Sequence, residues 1–483
     1  MKRTNKGAQS RLVRDQPPAE SVEKRPVAKG NPEQATAFGT QSPAGASSAL
    51  GRVREAARGD AKQRFTSLLH HVTVDLLRYA YGALKRDAAA GVDEVTWREY
   101  GEGLEERLAD LHDRVQGGRY RAKPSKRQWI PKPDGRQRPI GIASLEDKIV
   151  QKALVLILEQ IYEEDFLGFS YGFRPGKSQH NALDALYVAI TQRKVSWVLD
   201  ADIRGFFDTL DHAWLMKFVE HRVADPRVLR LIGKFLRAGV SEDGQWSKTE
   251  VGTPQGAVIS PLLANIYLHY VLDLWVHWWR SHRAQGEVYI IRYCDDFVLG
   301  FQYRSDAQRF QDELAARLAK FRLELHPDKT RLIEFGRFAA ESREKQGQGK
   351  PETFDFLGFT HYCGKRRSDG GFAVRRKTIA KKMRAKLKAV GEALRRKSCL
   401  PVDVQGRWLR SVIRGHFNYY AVPGNADALN AFSRQVTRIW LKTLRRRSQK
   451  GRNLTWARFK RWIDQWIPSV RIVHPYPNQR LRV

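Results

Sequence analysis

The stretch YIIRYCDDFVLGF, residues 289–301, sets two short apolar runs on either side of an acidic pair. Runs rich in β-branched and aromatic residues read as strands, and the polar break between them reads as a hairpin turn. That puts Asp295 and Asp296 together at the tip of a half-buried hairpin. Adjacent like charges repel, and burial disfavours the ionised form of each. A positive partner is therefore expected at this site.

The surrounding chain is strongly basic. Its 483 residues carry 86 Lys and Arg against 52 Asp and Glu, a net charge of +34. A surplus of that size points to a polyanionic partner, nucleic acid before a membrane surface. With 42% hydrophobic residues the chain can also build a sizeable core, and its length allows two or three domains. Cys294, Cys363 and Cys399 show no paired spacing, so neither a zinc module nor a disulfide framework is expected, and a reducing compartment fits. The N-terminus has no apolar secretory segment. The most apolar stretch, PLLANIYLHYVLDLWVHWW (261–279), carries Asn265, His269, Asp273 and His277 at four-residue spacing. That is a polar stripe along one helix face, which predicts a core helix with one wet or functional side and no membrane span.

Residues 1–60 are rich in Gly, Ala, Ser, Pro and charge and read as a disordered basic leader. Thr96 and Glu99 have the spacing of a capping box. In RQWIPKPDGRQRPIGI (127–142), Pro-Asp-Gly between β-type residues predicts a hairpin, and Ser144 is placed to cap the helix that follows. SWVLDADIRGFFDTLDHAWL (196–215) reads as a strand running into a turn and helix. Ser260-Pro261 reads as an N-cap followed by proline at the first helical position. Beyond the acidic hairpin, 306–326 is an amphipathic helix, and KTRLIEFG (329–336) and FDFLGFTHYCG (354–364) are strand-like. Residues 364–397 then hold 14 Lys or Arg and only two acids, and helical aromatic stretches follow.

A third carboxylate, Asp202 in LDADIRGFFD (199–208), ends a β-type run just before a small-residue turn. It is expected at the end of a strand beside the hairpin. Three carboxylates converging at strand ends form a hard oxygen donor set suited to Mg²⁺. Two such ions about 4 Å apart can activate a 3′-hydroxyl and hold a triphosphate for in-line displacement. Asp200 shares a face with Asp202 by strand alternation, while Asp208 and Asp211 suit the turn or helix start that follows.

The ordered series ADIRGFFD (201–208), TPQG (253–256), YCDD (293–296), KTRL (329–332) and FLGF (356–359) resembles a reverse transcriptase, across roughly residues 70–363. The resemblance implies an α+β right-hand polymerase. Its parts would be an N-terminal extension and fingers over 61–145, a fingers and palm core with an antiparallel sheet over 146–363, and an α-helical thumb/maturase domain over 364–483. Residue by residue, Asp202, Asp295 and Asp296 match the catalytic, metal-binding triad for two Mg²⁺ ions, with Mn²⁺ able to substitute. Phe207 matches the steric gate against a ribose 2′-hydroxyl, leaving Phe206 to the core. Gln255 matches the position against the incoming nucleotide, Lys132 and Arg138 the cations on its triphosphate, and Lys329 a lysine near its phosphates. YCDD replaces the more usual YADD, a small thiol for a methyl, which is expected to be tolerated.

GFRPGKS (172–178), IVQKALVLILEQIYEEDF (149–166) and AGVDEVT (90–96) are similar to bacterial group II intron-encoded proteins. The tail, from LRSVIRGHFNYYAVPGNADALNAF (409–432) to RIVHPYPNQRL (471–481), resembles their maturase segment. This implies an RNA-directed DNA polymerase that also binds its intron RNA to assist splicing and mobility. The alternatives are a host-recruited enzyme, for instance in defence, or a splicing-only maturase. Implied partners are intron RNA, an RNA template, a DNA primer or target and deoxynucleoside triphosphates, in a bacterial cytoplasmic ribonucleoprotein, as a monomer or homodimer. Arg445, Arg446, Arg447, Lys450 and Arg452 are the candidate RNA contacts, whereas Phe417, Tyr419, Tyr420, Trp440 and Trp456 are read mainly as core. The sequence carries no paired-cysteine HNH segment, so second-strand cleavage is not expected.

Overall fold

The computed structural model describes residues 44–131, 137–242, 245–247, 251–253, 256–366 and 369–480. Its first described element is helix α1 (Ala44–Gly59), which corrects the expectation of disorder for this part of the leader. Alanine favours helix, and Val53 and Ala57 give the helix a buried edge. Arg54 and Arg58 both pair with Glu164, near the end of α2 (Leu145–Asp165). Helix α2 is capped as expected by Ser144, whose side chain accepts from the Asp147 amide. Ile149, Val150, Ala153, Leu154, Ile157, Leu158 and Ile161 are all buried, so α2 is apolar over most of its circumference and forms the centre of the largest core. The Thr96–Glu99 capping box is also present.

The chain places β1 (Ser125–Pro131) and β2 (Gln137–Ile142) before helix α3 (Gln179–Gln192), then β3 (Trp197–Asp202), β4 (Val240–Glu242) and β5 (Gln245–Ser247). There follow β6 (Val288–Tyr293), β7 (Asp296–Phe301), β8 (Arg331–Glu334), β9 (Phe354–Phe356), β10 (Phe359–Lys365) and β11 (Phe372–Thr378). They form three sheets, ordered β2-β1-β4-β5, β6-β7-β3-β8 and β11-β10-β9. The predicted β1–β2 hairpin is antiparallel, with Ile130 opposite Arg138, and the β6–β7–β3–β8 sheet is antiparallel throughout. That sheet is covered on both faces, so its strands are nearly continuous apolar runs. Leu199, Phe297 and Leu299 face the α2 core, while Val198, Ile291, Val298 and Ile333 face α3 and β9–β11. FDFLGFTHYCG contains a tight turn, since Leu357 (φ 44°) and Gly358 (φ 86°) both lie in the left-handed region, the pattern of a two-residue hairpin.

The apolar stretch beginning at Ser260 is two helices, α4 (Ser260–Leu268) and α5 (Leu274–His282), joined through a π-helical turn at His269–Asp273. Ser260 is the first helical residue rather than the cap, and its hydroxyl meets that of Thr253 inside the protein. Of the two readings open for the polar stripe, the wet one does not hold. Asn265, His269 and Asp273 are buried and only His277 is exposed, so the polar face is dry. Among the described residues no helix is long and apolar enough to cross a membrane.

The C-terminal part is helical: α6 (Ala380–Arg396), α7 (Val402–Tyr420), α8 (Ala426–Arg445) and α9 (Trp456–Trp466). They close over Leu394, Leu409, Ile413, Phe432, Val436, Trp440 and Phe459. Phe417 and Trp440 are core residues, Tyr419 and Tyr420 are half-buried, and Trp456 is exposed.

Candidate active site

Strand register brings the acids together. Across β3 and β7, Asp202 stands directly opposite Asp296, and residues so paired share one face of the sheet. The β6–β7 turn is two residues long, with Tyr293 opposite Asp296 and Cys294-Asp295 between them. Cys294 has φ 58° and Asp295 is not among the positive-φ residues, the pattern of a type II′ turn, whose first central position usually takes glycine. Burial pushes the Cys294 thiol up, so the side chain stays neutral and packs as a small apolar group.

Beneath the turn lies Arg292, wholly buried with Asp273 at 0% exposure each. Its guanidinium donates to both Asp273 carboxylate oxygens at 2.7 and 2.5 Å, to Asn265 Oδ1 at 3.0 Å and to Ser170 Oγ at 2.7 Å. It also donates to the Cys294 carbonyl at 3.0 Å, so the turn that carries the acids is anchored to the π-helical segment and to residue 170. The segment around Ser170 adds backbone bonds on the outer edge of β6, Arg292 N to Phe169 O at 2.9 Å and Tyr171 N to Arg292 O at 2.8 Å. Gly172 follows, its carbonyl accepting from Asn265 Nδ2 at 2.7 Å. A Cβ at Gly172 would collide with the Cys294 nitrogen and stand 2.9 Å from the Tyr293 carbonyl carbon.

The positive partner expected from the sequence comes from several places. Lys329 forms an ion pair with Asp202. Burial raises the Asp295 carboxyl, Asp202 raises it further and Arg138 of β2 offsets part of this. Asp296 is pushed up to about 6, first by loss of hydration, then by Asp295 and Asp202, against the pull of Lys382 and Lys329. The residue itself is exposed at the start of β7. Asp200 lies on the same face: burial pushes it up to about 7, Asp296 and Asp202 add to this, and Arg331 is its partner at 3.8 Å. Asp211 caps the helix His212–Glu220 by accepting from the Trp214 amide. Among the described residues no three acidic, imidazole or thiol groups close around one point as a ready-made metal cage; the triad is gathered by register and turn, with Asp202 leaning on Lys329.

Phe206 is buried and Phe207 half-buried, their rings edge to face at 5.4 Å. The Phe207 carbonyl accepts from the Thr253 amide at 2.8 Å, and Leu210 accepts from Gly252 at 2.8 Å. The loop leading to TPQG is thereby laid against the turn after Asp202. Gln255 and Lys132 lie outside the described residues, as does the Lys450 side chain. Arg138 and Lys329 are exposed near the acids. Far along the chain, Arg445, Arg446 and Arg452 line a cleft of about 640 Å³ with Arg438 and Lys442. Arg447 lines a neighbouring cleft of about 600 Å³ with Lys388 and Arg395. Arg445 and Arg447 also donate to the carbonyls of Leu454 and Cys399, so part of their role is structural.

Sequence reasoning missed Arg292, Asp273, Asn265, Ser170, Gly172 and Lys382. A signal existed for the first three. One arginine inside an apolar strand needs a buried partner, and the polar stripe at 265–273 offered one.

Fold and site define a mixed helix-and-sheet protein with an acidic centre set in a basic surround. Residues 130–361 match the family described as reverse transcriptase (RNA-dependent DNA polymerase). The chain is 34% identical to Protein YkfC of Escherichia coli over 273 residues, 50% of this chain and 71% of that protein. It is 35% identical to the group II intron-encoded protein LtrA of Lactococcus lactis over 231 residues, 47% of this chain and 38% of LtrA. A 91 kDa protein in the cob intron of Schizosaccharomyces pombe shares 41% identity over 146 residues, 30% of this chain and 18% of its own length. The chain thus spans well under half the length of the two intron proteins. It belongs to the reverse transcriptase family.

The contact at Gly172 generates a prediction. Gly172→Ala should cost about 1–3 kcal/mol of stability by overpacking, yet lower DNA synthesis by about 100-fold because the acidic turn must shift. Thermal unfolding and primer extension on the same preparation check this.

Proposed function

We propose that the chain is an RNA-directed DNA polymerase of the group II intron type, which also binds its intron RNA to assist splicing and mobility. The observation that carries this reading is Asp202 facing Asp296 across β3 and β7 with Asp295 in the adjoining turn, inside the segment that matches the family. On this reading β1–β2 and β4–β5 belong to fingers, β6-β7-β3-β8 is the palm sheet, and α6–α9 form the thumb and maturase part. A splicing-only protein has no use for three acids held together at a cost in repulsion.

Asp202, Asp295 and Asp296 offer only carboxylate oxygens, the donors a hard divalent cation takes, and the upward-shifted Asp295 and Asp296 would be relieved by one. They would hold Mg²⁺, or Mn²⁺ in its place, which when bound supplies Lewis acidity toward a 3′-hydroxyl and a triphosphate. The chain's own groups do the rest. Arg138, with Lys132, binds triphosphate oxygens through charge-assisted hydrogen bonds. Phe207 crowds the sugar where a ribose would carry its 2′-hydroxyl, and Gln255, two residues beyond the Thr253 amide that the Phe207 carbonyl holds, is assigned to the incoming nucleotide. Lys329 stands beside Asp202 with an ammonium that can serve the phosphates. Arg445, Arg446, Arg447, Lys450 and Arg452 take RNA phosphates, a salt-dependent contribution.

Asp295→Asn should lower Mg²⁺-dependent cDNA synthesis by about 10³-fold or more while RNA affinity, read by filter binding, stays within a few-fold. Full synthesis by that variant would sink the assignment. Phe207→Ala should relax discrimination against ribonucleotides by about 10- to 100-fold in kcat/KM ratio; unchanged selectivity would move the gate elsewhere.

A further inference from the structure

Phe173 follows Gly172 in GFRPGKS and belongs to none of the hydrophobic clusters among the described residues. The residue is 57% exposed, and its backbone sits at φ 56°, in the left-handed region, where a bulky residue is strained. Both neighbours are clamped. On one side Gly172 is locked against the Tyr293–Cys294 backbone and by the amide of Asn265. On the other, the buried Arg174 donates to Glu163 at 3.0 Å and to the carbonyls of Leu167 and Ser170 at 2.8 Å. Two rigid anchors therefore hold a large apolar ring in solvent, at a backbone position glycine would occupy without strain.

What the ring borders gives it a use. Its centroid lies 6.2 Å from that of Tyr293, tilted by 45°. Tyr293 is paired with Asp296, which is paired with Asp202, so Tyr293 and both acids lie on one face of the sheet. Phe173 and Tyr293 thus form an aromatic edge running up to the carboxylates. Beyond it, Lys382, Lys386, His416, Tyr419 and Tyr420 line a cleft of about 580 Å³ between α6 and α7. Exposed aromatic rings beside cations are what a nucleic-acid strand uses, bases stacking on the rings while phosphates meet the charge.

We propose that Phe173 is a stacking platform for the nucleobase at the 3′ end of the primer strand. This rests on the polymerase reading above. The reacting 3′-hydroxyl must lie at the acids, so the base on that same sugar is the one nearest the edge that Phe173 extends. The anchored neighbours keep the ring in place for the base, against the strain at Phe173, rather than folded back into the protein.

The test compares wild type with Phe173→Gly and Phe173→Trp, using an RNA template annealed to a DNA primer without nucleotides. Phe173→Gly relieves the backbone and should leave the unfolding midpoint unchanged or raised, yet weaken primer–template binding about ten-fold; Phe173→Trp should retain binding. With 5-iododeoxyuridine at the primer 3′ terminus, wild type should photo-crosslink at the peptide containing Phe173. Unchanged affinity in Phe173→Gly with no crosslink at that peptide would overturn the proposal, as would a primer-terminus crosslink found only at other peptides. Binding and crosslinking are read without synthesis, so a wild type that extends no primer would count against the polymerase reading alone.

Discussion

The bonded pair of Arg292 and Asp273 is the constraint on which the acidic centre depends. Both side chains are fully buried, and two ions taken out of water are held only if their hydrogen bonds are nearly complete. Here the guanidinium is shared among a carboxylate, an amide, a hydroxyl and the Cys294 carbonyl. Replacing such a pair by apolar groups of similar volume is often neutral for stability, so its value lies in position. It ties three otherwise separate pieces, the π-helical turn, the segment at residue 170 and the β6–β7 turn, to one point below Asp295.

Above that point the charge balance reverses. A protein of net charge +34 gathers three acids at one sheet end and meets them with cations from distant segments, Arg138, Lys329 and Lys382. Each cation belongs to a different part of the fold, so bringing the parts together also completes the electrostatic surround of the centre. The partial burial of Asp295 makes these contributions count for more than they would at an open surface.

Much of this was legible in the sequence, for identifiable reasons. Periodicity and turn chemistry are local, so the β6–β7 hairpin, the Ser144 cap and the Thr96–Glu99 box read correctly, and Asp202 was recognisable as the end of a strand. The opposition of Asp202 and Asp296 needed register between strands far apart in sequence, which composition does not encode. The stripe at 265–273 reads as a wet or functional face, and a helix alone does not reveal which, because its buried arginine partner lies on a distant strand. Helix α1 was lost in a leader of low complexity, where two buried residues, Val53 and Ala57, are too sparse a signal. Phe173 lies in the quoted GFRPGKS, but its exposure and strain are properties of the folded backbone.

Arg292 and Asp273 serve to position the acidic turn, and a double-mutant cycle tests this most directly. Arg292→Met and Asp273→Leu would be made singly and together, and unfolding free energy and primer extension measured for each. Each single change leaves a buried charge unpaired and should reduce both quantities. The double variant should regain most of the stability but not the synthesis, because Cys294 and Ser170 have still lost their donor. A double variant that recovers synthesis along with stability would contradict the account.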